Sequence, residues 1–182
     1  MIYPRLRSIA RNLWRCREGV AAVEFALVLP FLLLFYLAGY EATQAASTYR
    51  KVTDTTAEIA NIVSQYAAMS SSDVTGVFSA SAQIMAPRRT SPLSIVLSAV
   101  STDAKNKATV AWSRSYNGAS ALAVGSLVTM PAGLSVANTS YILVQTTYLY
   151  TPTIGPEFVK PIPMHSAIFM LPRRSTTITF TG

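Results

Sequence analysis

The residue whose chemistry most needs an explanation is Glu24, a carboxylate within a long apolar segment. Residues 20–40 comprise 21 positions, and Glu24 is their only acidic or basic side chain. A helix needs about 20 apolar residues to cross the hydrocarbon core of a membrane. A carboxylate deep in that core costs on the order of 2–3 kcal/mol. Two explanations stay open: Glu24 reaches water near the start of the segment, or it meets a positive partner in an assembly.

The residues before this segment are basic and predict how the chain lies in a membrane. Five arginines precede Gly19, against one acid, Glu18, so residues 1–19 carry a net charge of +4 out of the chain's +7. An arginine-rich flank keeps its side of a membrane helix in the cytoplasm, so the C-terminal part is expected to be exported. An ordinary secretory signal is the alternative, although the apolar run is longer than the usual signal core and no clear A-x-A site closes it. The arginines are Arg5, Arg7, Arg11, Arg15 and Arg17.

Elsewhere the sequence shows no group of residues that predicts catalysis. His165 is the only histidine, and Cys16, in the basic arm, is the only cysteine. A lone histidine without a second ligand is more often structural than functional. We therefore expect no enzyme activity, no metal and no cofactor. Nucleic acid is not an expected partner either, because no binding motif or continuous basic stripe is present. Arg173 and Arg174 are interpreted as a subunit contact or as a solvated pair.

A long helix is predicted from about residue 20 to residue 68, membrane-spanning in 20–40 and amphipathic beyond. Its second half carries a stripe of residues at steps of three and four, which is typical of a helix packed along one face. We expect the stripe to pack on the chain's own sheet. Pro30 predicts a kink because it lacks a backbone donor, although prolines also occur in membrane helices without special effect. The stripe comprises Tyr49, Val52, Thr56, Ile59, Val63 and Tyr66.

The remaining residues, 69–182, are predicted to form an exported α+β domain. Ser72 is expected to cap a short second helix that reaches about Met85. The hydrophobic period then changes to two, which predicts strands, while prolines exclude regular structure from about 152 through 163. The result is an antiparallel sheet of four or five strands. The predicted strands are a hairpin of 93–100 with 108–112, then 127–130, 139–151, 164–171 and 174–180.

The N-terminal residues resemble the class III signal of type IV pilin precursors. Gly19 is followed by four apolar residues, then by Glu24–Phe25 and a long apolar helix, and a basic arm precedes it. More narrowly, the chain is similar to TadE-like pseudopilins of the tight-adherence (Tad) pilus system. The residues that carry this similarity are VAAVEFALVLP after Gly19 and, further on, DTTAEIANIVSQ, a Trp–Ser pair and a TPxxGP…MLPRR segment. Glu18 departs from the pattern, since basic or neutral residues are more usual before the glycine.

This resemblance implies a pilin-like fold and a particular use of the N-terminus. Residues 1–19 would be a leader that a prepilin peptidase removes by cutting between Gly19 and Val20. Glu24, followed by Phe25, would neutralise the N-terminal amine of a neighbouring subunit. The implied partners are the peptidase, other pilin and pseudopilin subunits, the inner-membrane assembly platform and membrane lipid.

The implied function is that of a minor pseudopilin that supports pilus assembly or priming and surface adhesion. The expected location is the bacterial inner membrane, with the N-terminus cytoplasmic and the C-terminal domain periplasmic or extracellular in a pilus. The alternative is an uncleaved, single-pass, membrane-anchored periplasmic scaffold or binding protein of a secretion or pilus apparatus.

Overall fold

The computed structural model describes residues 18–157 and 159–182. The basic arm through Arg17, with Cys16, lies outside the described residues, so the structure does not bear on the predictions made for it. The chain divides into two compact units, Met1–Gln44 and Ala45–Gly182. The first contains the apolar segment, and the second contains the sheet.

Helix α1 spans Glu18–Ser64 and contains Pro30. The predicted long helix is confirmed, but it ends before the expected residue 68. Gln65 and Tyr66 donate their backbone N–H groups to carbonyls three residues earlier, at 3.1 Å in each case, which tightens and closes the last turn. The carbonyl oxygen of Ser64 then accepts the N–H of Arg173 at 2.8 Å. The end of the helix is therefore satisfied by the C-terminal part of the chain.

The predicted stripe of α1 packs into the core for most of its length. Within the second unit its buried members are Val52, Thr56, Ile59 and Val63, and Tyr66 is half-buried against the same core. Tyr49 was wrongly included, since half of its side chain is exposed. At 100° per residue, Tyr49 projects between the buried residues Thr56 and Ala60, so the periodicity alone could not exclude it from the buried face.

The second helix, α2, spans Ser71–Met85, and its N-cap lies two residues before the predicted one. Ser70, not Ser72, is the N-cap. Its hydroxyl accepts the N–H of Asp73 at 3.2 Å, while the Asp73 carboxylate accepts the N–H of Ser70 at 2.8 Å. This reciprocal capping box satisfies two donors that the helix itself leaves unpaired.

The main sheet has four antiparallel strands, which are β2 (Leu93–Thr102), β3 (Ala108–Tyr116), β4 (Ser140–Tyr150) and β5 (Ile162–Met170). They lie side by side in the order β3-β2-β4-β5. The predicted α+β class and the sheet size are confirmed. One face of the sheet packs on the helices through residues such as Leu97 and Val144, which are fully buried. A smaller cluster on the other face involves Val100 and Leu143.

Two strand predictions were wrong at the edges of this sheet. Residues 127–130 form no strand: Leu127 makes an isolated bridge to Thr109. Pro163, which was expected to exclude regular structure, lies inside β5 opposite Leu149. The N–H of Leu149 donates to Pro92 at 3.2 Å, on the side away from β5. Because β5 is an edge strand and this pair exchanges no hydrogen bond, the missing donor of Pro163 costs nothing.

The C-terminal segment is held by side chains more than by strand pairing. The strand predicted over 174–180 is reduced to β6, Thr179–Phe180, which pairs in parallel with β1, Ala68–Met69. The buried indole N–H of Trp112 donates to the carbonyl of Ile178 at 2.7 Å, and its ring lies 5.6 Å from that of Phe180. Trp112 therefore fixes a segment whose short strand gives little stability of its own.

Candidate functional site

The strongest candidate site is the apolar first part of α1. Every residue from Gly19 to Tyr40 is exposed in this chain. Monomeric soluble proteins rarely expose apolar surface so continuously, and such surface marks a membrane or protein contact. Phe35, the most exposed of the large apolar residues here, has 73% of its surface accessible. The others include Val23, Leu27, Phe31, Leu34 and Tyr36.

The length and composition of this segment fit a membrane span. Its most apolar window has a mean hydropathy of 2.4, and none of that window is buried by the rest of the chain. Residues 20–40 as a helix extend over about 30 Å, which matches the hydrocarbon core. An apolar helix of this length near the N-terminus therefore fits a membrane anchor.

Glu24 lies on this helix one turn after Val20, with its carboxylate exposed. It meets no basic group among the described residues. In a membrane, a nearby ammonium group would stabilise this carboxylate, because each ion relieves the burial cost of the other. Phe25 follows it and is 60% exposed.

The predicted cleavage bond, Gly19–Val20, lies in the first turn of α1. A Cβ atom added to Gly19 would meet no other atom within 4 Å. Alanine at position 19 is therefore sterically compatible with the folded chain, and an effect of that substitution on cleavage would reflect recognition.

Pro30 lies within α1, and the helix continues on both sides of it. Since proline has no N–H, the carbonyl of Ala26 lacks its usual intrahelical donor. The predicted kink at Pro30 stays a prediction. Gly19, Val20, Glu24, Phe25 and Pro30 thus all lie on one helix and within the same apolar segment.

Outside this segment, the described part of the chain brings no catalytic group together. The Nδ1 atom of His165 and the hydroxyl of Thr147 form a hydrogen bond of 3.0 Å between β5 and β4. This hydrogen bond is exposed to solvent. No cluster of three or more His, Cys, Asp or Glu side chains is found among the described residues. Arg173 and Arg174 are exposed. Both readings of that pair, a subunit contact and solvated charge, stay predictions.

One feature was missed by sequence reasoning. Arg88 and Arg89 lie in a loop and Tyr148 and Tyr150 lie in β4, and no sequence motif links the two pairs. The tyrosines do pack in the sheet, but all four residues also line one cavity. Nearly sixty residues separate the two pairs in the chain, so only the antiparallel pairing of Leu93 with Tyr148 brings them together.

Comparisons with known proteins agree with the placement of the site. Residues 19–61 match the family model described as TadE-like protein, which confirms the resemblance predicted from the N-terminal sequence. The match begins at Gly19 and includes Glu24, the whole apolar segment and most of the buried part of α1. No curated protein and no solved structure matched the chain.

Proposed function

We propose, on the basis of this TadE-like segment, that the chain is a minor pseudopilin of a Tad-type pilus. Membership of such a system makes the protein a membrane-anchored component associated with the pilus. The observation that carries the proposal is the coincidence of three features at one place. The family match starts at Gly19, the apolar segment 20–40 follows directly, and the only charge in that segment is Glu24.

Processing would be the first step. A prepilin peptidase would hydrolyse the Gly19–Val20 bond, leaving a carboxylate on Gly19 and a protonated amine on Val20. The new ammonium would stand at the N-terminus of α1, where the helix dipole disfavours positive charge. Glu24 supplies the compensating negative charge one turn away. Cleavage would therefore create the partner that the carboxylate lacks among the described residues.

Assembly would be the second step. The apolar segments of several subunits would bundle, each removing its exposed side chains from lipid by packing against a neighbour. In the bundle, Glu24 of one subunit would neutralise the Val20 amine of the next. The role is structural: the helix assembles, and the sheet domain faces the periplasm or the outside of the filament. Priming of the pilus and support of adhesion would follow from that position.

The test is the intact mass of the protein co-expressed with a prepilin peptidase that processes the pilin of the same system. We expect the loss of residues 1–19. Gly19→Ala should abolish this loss, because recognition requires the glycine. Gly39→Ala is the matched control, since it lies in the same helix and its added Cβ would likewise meet nothing within 4 Å. That variant should be cleaved like the wild type.

An unchanged mass for all three proteins would overturn the proposal. The chain would then be the uncleaved, membrane-anchored scaffold or binding protein that forms the alternative. Cleavage of Gly19→Ala at the same bond would contradict the assigned role of the glycine while leaving processing itself intact.

A further inference from the structure

The second unit contains a cavity whose chemistry the pilus role does not explain. The cavity has a volume of about 480 Å³ and lies between the loop 87–92 and the chain from Tyr148 to Pro156. The residues that line it include Arg88 and Arg89 from the loop and Tyr148 and Tyr150 from β4. None of the described residues that line it is acidic. A cavity of this size admits a small ligand or a lipid headgroup.

The loop that carries the arginines is fixed in place by the sheet. The side chain of Asn117 donates through Nδ2 to the carbonyl of Ser91 at 2.7 Å. The N–H of Leu149 donates to the carbonyl of Pro92 at 3.2 Å. Because the loop 87–92 is held at these points, the cavity exists before any ligand arrives, and binding would require little ordering of the chain.

The two arginines act on the same buried phenol. Tyr148 is only 5% exposed. Burial raises the pKa of Tyr148, and the positive charges of Arg88 and Arg89 lower it in part. The three residues also line the same cavity. A phenol is protonated at neutral pH, so Tyr148 has a hydroxyl donor.

We propose that this cavity binds a phosphate group. Guanidinium groups donate paired hydrogen bonds that match the oxygens of phosphate, and the phenol of Tyr148 supplies a further donor. Thr151 and Thr153 also line the cavity. The whole unit from Ala45 to Gly182 favours an anion as well, since it has ten basic side chains against five acidic ones. This site goes beyond the pilus role and does not depend on it.

The chemistry of the cavity fits two sources of phosphate. The phosphodiester of an anionic lipid is one source, and soluble phosphate is the other.

The experiment uses the full chain purified in detergent, with two probes. Native mass spectrometry measures how much phosphatidylglycerol is retained relative to phosphatidylcholine. Thermal unfolding with inorganic phosphate, against chloride at equal ionic strength, measures binding of the soluble anion. We expect Arg88→Gln/Arg89→Gln to weaken binding at least about tenfold, since two charge-assisted contacts are lost. The matched control is Arg173→Gln/Arg174→Gln, which removes the same charge from another adjacent pair and should bind like the wild type.

Each outcome decides the proposal. Selective retention of phosphatidylglycerol that only the Arg88/Arg89 variant loses supports a lipid headgroup. A response to inorganic phosphate alone, lost in the same variant, supports the site with a soluble ligand. No binding of either probe, or an equal loss in both double variants, overturns it. If the double variant fails to fold, Arg89→Gln and Tyr148→Phe, which keep the loop and the ring in place, should each still weaken binding several-fold.

Discussion

Helix α1 places two kinds of surface in one continuous element. From Gly19 to Tyr40 every residue is exposed, including apolar side chains as large as Phe35. From Val52 to Val63 the same helix buries one face completely. The second stretch packs against other residues of the same chain, whereas the first stretch is exposed. The difference indicates that the first stretch is a contact surface for lipid or other subunits, and the second is a foundation for the sheet.

The largest effect is expected from the single charge on the exposed half. Glu24→Gln should leave cleavage after Gly19 intact but prevent assembly of the protein with the pilus subunits, because a neighbouring ammonium would lose its counter-ion in lipid. The measurement compares intact mass with co-purification of pilus subunits. Glu58→Gln, an exposed acid on the other half of α1, should assemble normally. Normal assembly of both variants would remove Glu24 from the mechanism.

The buried half should respond through stability. Ile59→Ala, at a fully buried position, is expected to lower the free energy of unfolding of the domain by about 2–5 kcal/mol, because it leaves a cavity between helix and sheet. Leu34→Ala, on the exposed half, should leave domain unfolding unchanged. Denaturant unfolding of the processed chain can be followed through Trp112, the only tryptophan after Gly19. Equal effects of the two variants would contradict the division of α1 into two surfaces.

A smaller effect is expected where the domain holds its own C-terminus. Trp112→Phe keeps an aromatic ring but removes the 2.7 Å hydrogen bond to the buried carbonyl of Ile178. The cost is expected to be about 1–3 kcal/mol, measured by circular dichroism during denaturation. Phe180→Leu would separate this bond from ring packing, since it keeps the indole donor and changes only the ring contact.

The smallest effect concerns pH. Hydrogen bonds from the hydroxyl and the N–H of Ser70 hold the pKa of Asp73 below its ordinary value of 3.8. Its capping contribution is therefore fully present above that value and is lost as the pH falls through the lower pKa of the folded state. Asp73→Asn should unfold with a shallower dependence on pH in this acidic range. Identical pH profiles would show that protonation of Asp73 in the capping box does not change the free energy of unfolding.

Much of this arrangement was predictable because it depends on local patterns. The apolar run, the steps of three and four after Tyr49, and the alternation in β2 each predict an element that the structure contains. The failures have a common cause, since they depend on partners distant in sequence. Pro163 is tolerated because the residue opposite it on β4 directs its backbone N–H away from β5. The segment before Thr179 is fixed by Trp112 instead of forming a strand.

The candidate site shows the same contrast. Gly19 and Glu24 could be identified from sequence because their meaning lies in a short motif on one helix. The cavity lined by Arg89 and Tyr148 could not, because no motif links residues that only the register of β2 with β4 brings together. Functional residues that belong to one local motif could be predicted from the sequence, whereas residues that strand pairing brings together could not.

The central claim is that the exposed half of α1 is an assembly surface, and photo-crosslinking tests it most directly. A photoreactive amino acid is placed at single positions from 20 to 40 in cells that assemble the pilus, and the adducts are identified by mass spectrometry. We expect adducts with pilus polypeptides that recur every three or four positions on the face containing Glu24, and adducts with lipid elsewhere. Lipid adducts alone at every position would show that the segment is only an anchor and would contradict the account.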